Sequence, residues 1–400
     1  MSTAVMTNRL EMSSVADSAL KAAAGFWFVV TLIGQWIFVF YIASYYGTSA
    51  ARGDFVGWNK LLAHGWVPGA TVGNIALSAH LLFAAMISFS GALQLVPRIR
   101  TRFAWLHRWN GRFYILAAFT MGCSAVYLAF SGRRVVGNTS QHIASGINAG
   151  LIMICAALAL RYALLRDFRT HRVWALRLFL VVSGVWFFRV GLMLWLLLFR
   201  GPVGFDETTF TGPFLTFLGF AQFLLPLAVL ELYLRTKERP GAVRRIAMAS
   251  ALFVLTLAMG AGIFAATMTM WTPRIKQAFD PRKSVAEVLS ATIASGGVDA
   301  AAKQYHDLKA TAPTTYNFDE DELNTLGYQL IREKKYKSAI VVLQVNVEAY
   351  PQSGNAYDSL AEAYMDDGDK AEAIANYEKS LQLNPKNDNA FKTLQRLKAP

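Results

Sequence analysis

The chain has 400 residues, of which 54% are hydrophobic and 16% charged, and a formal charge of +13. A soluble globular protein carries about a quarter charged residues, so this composition excludes a soluble domain along the whole length. Residues 1–272 hold 23 Lys/Arg against 8 Asp/Glu, whereas residues 273–400 hold 16 against 18. The two stretches are built for different solvents. In the first, Arg prevails over Lys and the basic residues lie between apolar runs, which is a record of membrane topology rather than a footprint for nucleic acid.

Seven stretches reach the roughly 20 apolar residues that span a hydrocarbon core: 22–46, 72–96, 113–131, 142–165, 173–199, 212–234 and 246–270. They predict a seven-helix transmembrane bundle over 22–271, preceded by a short polar segment, 1–21. The connecting segments 97–112, 161–177 and 235–245 carry five Lys/Arg each, against two, two and one in 47–71, 132–141 and 200–211. By the positive-inside rule the Arg-rich segments and the N-terminus are expected in the cytoplasm and everything after the seventh helix outside it. Trp27, Trp66 and Trp271 are expected at the interfaces with water.

Polar residues inside these spans are costly and are read first as functional. His80, in the second span, and His142, at the start of the fourth, fall toward one face. His107 and His171 fall at the opposite ends of the third and fifth spans, each followed by Arg. Arg189 sits deep in the fifth span and needs a counter-charge, for which Asp206 and Glu207 are candidates, or backbone acceptors, and a structural role between helices is the alternative. Glu231 is expected to pair with Arg235 four residues on. Cys123 and Cys155 are expected to be small packing residues. Neither zinc spacing, nor a phosphate-cradling glycine loop, nor a nucleophile motif occurs, so no soluble enzyme chemistry is predicted.

After a linker at 272–285 the pattern turns amphipathic and repeats. Leu326 and Leu360, Ala339 and Ala373, Leu343 and Tyr377, and Pro351 and Pro385 are each 34 residues apart, the period of the tetratricopeptide repeat (TPR). Repeats are placed at 320–353 and 354–387, a degenerate one at 286–319 on Ala301, Tyr305 and Pro313, and a final helix at 388–398, where Phe391 and Leu394 would cover the last apolar face. The fold class is therefore all-α throughout. Such arrays line a groove with their first helices, here Asp321, Asn324, Tyr328, Ile331 and Arg332 in one repeat and Asn355, Asp358, Glu362, Met365 and Asp366 in the next. The acidic middle disfavours capture of a peptide carboxylate, although Lys392 and Arg396 make a basic end. A protein or peptide partner in this groove and simple docking on the chain's own membrane helices are equal alternatives.

The run "GALQLVPRIRTRFAWLHRWNGRFYILAAF", with Gly91, Gln94, Pro97, His107, Arg108, Gly111, Arg112 and Tyr114, resembles domain-of-unknown-function family 2306, a bacterial membrane family. That resemblance covers about residues 70–200; it implies a bacterial cytoplasmic membrane and no activity. The repeat tail resembles those attached to exported hydrolases of the β-lactamase-like class. The four histidines resemble, in arrangement, the cytochrome b561 class, which implies two b-type haems, one held by His80 and His142 and one by His107 and His171. Arg108, Arg112, Arg172 and Arg177 would then face the inner haem's propionates. Two readings follow: a dihaem transmembrane electron-transfer protein with an exported interaction domain, or a non-catalytic anchor, sensor or transporter component that displays the repeats.

Overall fold

The computed structural model describes residues 3–398 apart from 61, 63, 64, 68, 131–136, 207, 208 and 281, with side chains from Ser13 onward except those of Val56 and Lys60. The chain forms two compact units, Met1–Phe279 and Asp280–Pro400.

In the first unit every apolar stretch is helical. A span in hydrocarbon must satisfy its own backbone polar groups, and a helix does so within one segment. The helices are α1 (Thr3–Ile42), α2 (Thr71–Leu95), α3 (Ala104–Phe130), α4 (Thr139–Leu164), α5 (Phe168–Val182), α6 (Gly184–Phe199), α7 (Pro213–Glu238) and α8 (Ala242–Ala266). α1 continues through a π-helical turn, Ala43–Gly47, and α8 through another, Thr267–Trp271, before its last turns end at Phe279. Among the described residues six helices are long and apolar enough to cross a membrane, and α5 with α6 makes a seventh if that bent pair is one span.

The starts of these helices follow from local chemistry. Asn138 accepts from Gln141 N while the Gln141 side chain accepts from Asn138 N, a reciprocal cap on α4. Asp167 caps α5 through Thr170 N, and Pro213 sits where its missing N–H costs nothing, at the first turn of α7. The helices then pack as two joined groups. α2, α3, α4 and α5 follow one another side by side, α8 lies against both α1 and α6, and α7 packs on α4, α5 and α6.

The fifth span departs from the continuous helix expected over 173–199. It breaks at Ser183 and bends by 52°. The Ser183 hydroxyl turns back to Phe179 O at 2.7 Å, and the residue after it is Gly184, which has low helix propensity. The freed backbone is repaired from neighbouring helices. Asn148 on α4 donates to Val181 O at 3.1 Å, and the fully buried Gln35 on α1 donates to Ser183 Oγ at 2.8 Å. A methyl group on Gly184 would sit 2.9 Å from Asn148 Nδ2, so glycine is what lets the amide approach. Breaks inside a membrane persist only where side chains re-satisfy the backbone in this way.

Three smaller expectations are also corrected. Trp271 is fully buried rather than interfacial, because the π-turn carries it inward to stack on Tyr41 and against Phe38. Glu231 accepts from Arg177 on α5 at 2.7 Å and not from Arg235, since a guanidinium on the facing helix can reach it in a more sheltered position than one on its own exposed flank. Cys123 is exposed, on the outer face of α3, so only Cys155 packs in the interior.

The second unit is three helical hairpins and a last helix: α9 (Val285–Gly296) with α10 (Val298–Thr311), α11 (Glu320–Arg332) with α12 (Tyr336–Ala349), α13 (Gly354–Asp367) with α14 (Lys370–Leu383), then α15 (Asp388–Lys398). Residues 34 apart share an environment. Ala339 and Ala373 are wholly buried, as are Leu343 and Tyr377 to within 1%. The two helices of each hairpin meet at these alanines, where a larger side chain would hold them apart. Ala301 and Tyr305 are buried in the same manner in the first hairpin. A two-residue parallel ladder, Lys283–Ser284 with Tyr316–Asn317, ties the chain just before α9 to the chain just before α11. Arg282 bridges Asp280 and Asp319 beside it. At the far end α15 packs through Ala390, Leu394 and Leu397. Phe391 is exposed instead of covering the core, because it stands one residue, about 100°, around the helix from Ala390.

Candidate functional site

The four histidines of the membrane unit sit on four helices that pack in sequence. His80, on α2, shares a hydrogen bond of 3.3 Å between its Nδ1 and Ser124 Oγ on α3. His142, in the first turn of α4, has a buried Nε2 without a partner. His107, in the first turn of α3, has a buried, unpartnered Nδ1, while its carbonyl accepts from Gln94 at 3.2 Å. His171, in the first turn of α5, directs Nδ1 to Ala159 O at 2.8 Å, a contact that leaves Nε2 as the free nitrogen. The rings of His107 and His171 are near enough to interact electrostatically.

α3 packs against both α2 and α4, and the interior of α2 to α5 holds Ile87, Tyr114, Ala117, Ala118 and Met121, none more than 6% exposed. The four imidazoles are a donor set that suits haem iron. Among the described residues no group of three or more His, Cys, Asp or Glu gathers as for a metal ion.

The basic residues around the inner pair are partly engaged. Arg177 pairs with Glu231 and lies 4.4 Å over the Trp174 ring. Arg112 lies 4.9 Å over Trp109. Arg108 and Arg172 are exposed. Of the counter-charges considered for Arg189, Asp206 turns its Oδ1 to Thr209 N and Oγ at 2.7 and 3.1 Å, and Glu207 lies outside the described residues.

In the repeat unit the groove residues come together across two equivalent helices. Tyr328 on α11 donates to Glu362 Oε2 on α13 at 2.6 Å, and the two positions are 34 residues apart, so one repeat grips the next at the same helical position. Asn355 donates to Glu320 at 2.8 Å. Asp358, Glu362, Met365 and Asp366 follow one face of α13, spaced as i, i+4, i+7 and i+8. Arg332 is exposed at the end of α11. Asn324 does not belong to the groove: it is buried and accepts from Asn346 on α12 at 2.9 Å, because its position faces the partner helix of its own hairpin.

The electrostatics of the groove are set by burial. Asp358 accepts from Asn387, yet its Oδ1 is buried with no partner, and burial pushes its carboxyl above the ordinary range. Burial raises Asp366 as well. For Tyr328, burial and then the neighbouring Glu362 raise the phenol, which stays protonated and donates. An acid with a raised folded value binds its proton more tightly in the folded state, so the ionised group opposes folding at neutral pH and this penalty fades as the pH falls through the raised value. A cation placed beside Asp358 would remove the same penalty without acid. Sequence reasoning named these carboxylates by repeat position but had no access to the orphaned oxygen, which is a matter of burial between helices.

A search of curated proteins gives no match to the chain. Residues 354–387 match the family model for the tetratricopeptide repeat, which agrees with the hairpin α13–α14 and the turn after it. Residues 77–225 match the model for DUF2306, described as a predicted membrane protein, so a stretch similar to that membrane family precedes one similar to the tetratricopeptide repeat.

Proposed function

We propose that the chain is a membrane-anchored interaction scaffold whose repeat groove takes a peptide segment carrying Lys or Arg. The observation that supports this reading is Asp358, a carboxylate in the groove with a buried, unpartnered oxygen, flanked on its helix by Glu362 and Asp366. A buried acceptor with nothing to accept is destabilising by roughly 1–3 kcal/mol, and such costs are retained where a ligand supplies the missing partner. Tyr328 and Met365 offer apolar surface beside it for the aliphatic stem of a Lys or Arg.

The test is an array of short capped peptides, basic, neutral and acidic, applied to the full chain in nanodiscs. Basic peptides are expected to bind, acidic ones to fail, and Glu362→Lys to weaken binding about tenfold or more through charge reversal. Equal binding of all three classes, or a Glu362→Lys variant that binds as well as the parent, would sink the proposal and favour a unit that only docks on its own membrane helices.

The Arg-rich segments support placing the repeats outside the cytoplasm of a bacterial cell, and the bent pair α5–α6 is the pivot of that reading. If the pair crosses, seven spans put the two termini on opposite sides; if it re-enters, six put them on the same side. A reporter active only in the cytoplasm, fused after Pro400, should be silent, and activity there would mean an even number of spans.

Haem binding is a second reading, and what favours it is that His107 and His142 each keep a buried, unpartnered ring nitrogen. On this reading the purified protein shows low-spin b-type absorption that falls by half when His107 or His171 is replaced, and by the other half for His80 or His142. A colourless, folded protein from haem-replete cells would dismiss it.

A further inference from the structure

Arg189 stands inside an apolar helix of the membrane unit, and no ion pair among the described residues accounts for it. It stands five residues into α6, ten residues before that helix ends at Phe199, so the Phe199 end lies about 15 Å away along the axis. His80, nine residues into α2, is at a similar depth. The two side chains are close enough to interact, and Tyr46, from the π-turn that follows α1, is also within electrostatic reach of the guanidinium.

What the guanidinium lacks is an acceptor. Its hydrogen bond goes to its own helix, Val185 O, at a long 3.4 Å, and its other contact is the ring of Phe38, 5.3 Å away. Among the described residues no carboxylate pairs with it. Five N–H donors in a fixed fork are offered, and most are unused. Two further donors of this unit lack partners: the indole Nε1 atoms of Trp186 and Trp271 are both buried with none, and both residues belong to the same buried cluster as Phe38. Trp271 also lies in the second π-turn and packs on Phe38. π-turns of this kind are frequent at functional sites.

A guanidinium without a carboxylate partner, in one unit with two unpartnered indole donors, is complementary to an anion, and hydrocarbon admits an anion only on a molecule that brings its own apolar body or through a guarded path. We propose that Arg189 holds the phosphate or carboxylate head of an anionic ligand, with Trp186 and Trp271 as accessory donors and Phe38 as the wall behind the guanidinium. The head could come from a membrane lipid or from a small soluble anion. The chemistry at Arg189 is the same, and the two sources are separable by experiment. This inference is independent of what the repeat groove binds.

The experiment uses the full chain purified in detergent and stripped of lipid, with intrinsic tryptophan fluorescence and native mass spectrometry as readouts. The probes are phosphatidylglycerol, diacylglycerol of the same chains, and inorganic phosphate or acetate. Retention of one phosphatidylglycerol but no diacylglycerol supports the site with a lipid as its source; saturable binding of phosphate or acetate supports it with a soluble anion. In either case Arg189→Gln should weaken binding about tenfold or more and Arg189→Lys less, because a point charge keeps attraction but loses the bidentate fork. Equal retention of phosphatidylglycerol and diacylglycerol with no response to soluble anions would overturn the proposal. That comparison needs only the unsubstituted protein, so it holds even if Arg189→Gln fails to fold.

Discussion

Leucine in place of Ala373 will unfold the end of the repeat unit. Ala373 has no exposed surface and packs with Ala361, Tyr377 and Ala390, where α14 meets the helices on either side. Three extra carbons there must push two helices apart, and overpacking of this kind costs about 1–3 kcal/mol and occasionally more. In a linear array each hairpin is stabilised mainly by its neighbours, so loss of α14 also uncovers α13 and leaves α15 without a support. Residues 280–400 form a compact unit with their own cores, so the fragment can be melted alone by circular dichroism. A fall of about 4–8 °C for each kcal/mol is expected. Ala371→Leu, two residues away on the exposed side of the same helix, should change little. If both variants melt together, the packing described for α14 is wrong.

The second large effect is expected in the membrane unit, at Gly262→Leu. A Cβ on Gly262 would lie 2.4 Å from Val190 O and 2.9 Å from Val190 Cγ1. The first of these is a backbone atom, which cannot rotate away, so α8 would have to separate from α6. Without a hydrophobic force between helices in lipid, such close approaches at small residues supply much of the association. Losing one should cost about 3 kcal/mol or more and convert a monodisperse detergent-solubilised protein into an aggregating one. Gly260, two residues and about half a turn away on α8, meets nothing within 4 Å, and Gly260→Ala should leave the elution profile and melting unchanged. Tolerance of Gly262→Leu would refute the α6–α8 contact.

Both predictions concern small residues, and they show where sequence reading has reach. Ala373 was visible because its equivalent, Ala339, stands 34 residues earlier and the repeat period carries a known packing rule. Gly262 stands in no repeat and has no such marker; its partner, Val190, is 72 positions away in a helix whose direction is set by the break at Ser183. The carboxylates Asp358, Glu362 and Asp366 were likewise legible from repeat position, whereas the tie from Tyr328 to Glu362 and the unpartnered oxygen of Asp358 required the stacking of one hairpin on the next.

What the sequence determined by itself is whatever depends on the solvent and on local period. Apolar runs of membrane length must be helical because hydrocarbon offers the backbone no other partner, and a 34-residue repeat must stack because one hairpin cannot bury its own apolar face. What only the tertiary structure decided is which side chain meets which across helices. The bend at Ser183 depends on Gln35 and Asn148 arriving from α1 and α4, the partner of Glu231 depends on Arg177 facing it from α5, and Trp271 is buried because α8 packs on α1. Each of these is a distance between residues far apart in the chain, and composition and periodicity, which describe one segment at a time, hold no information about it.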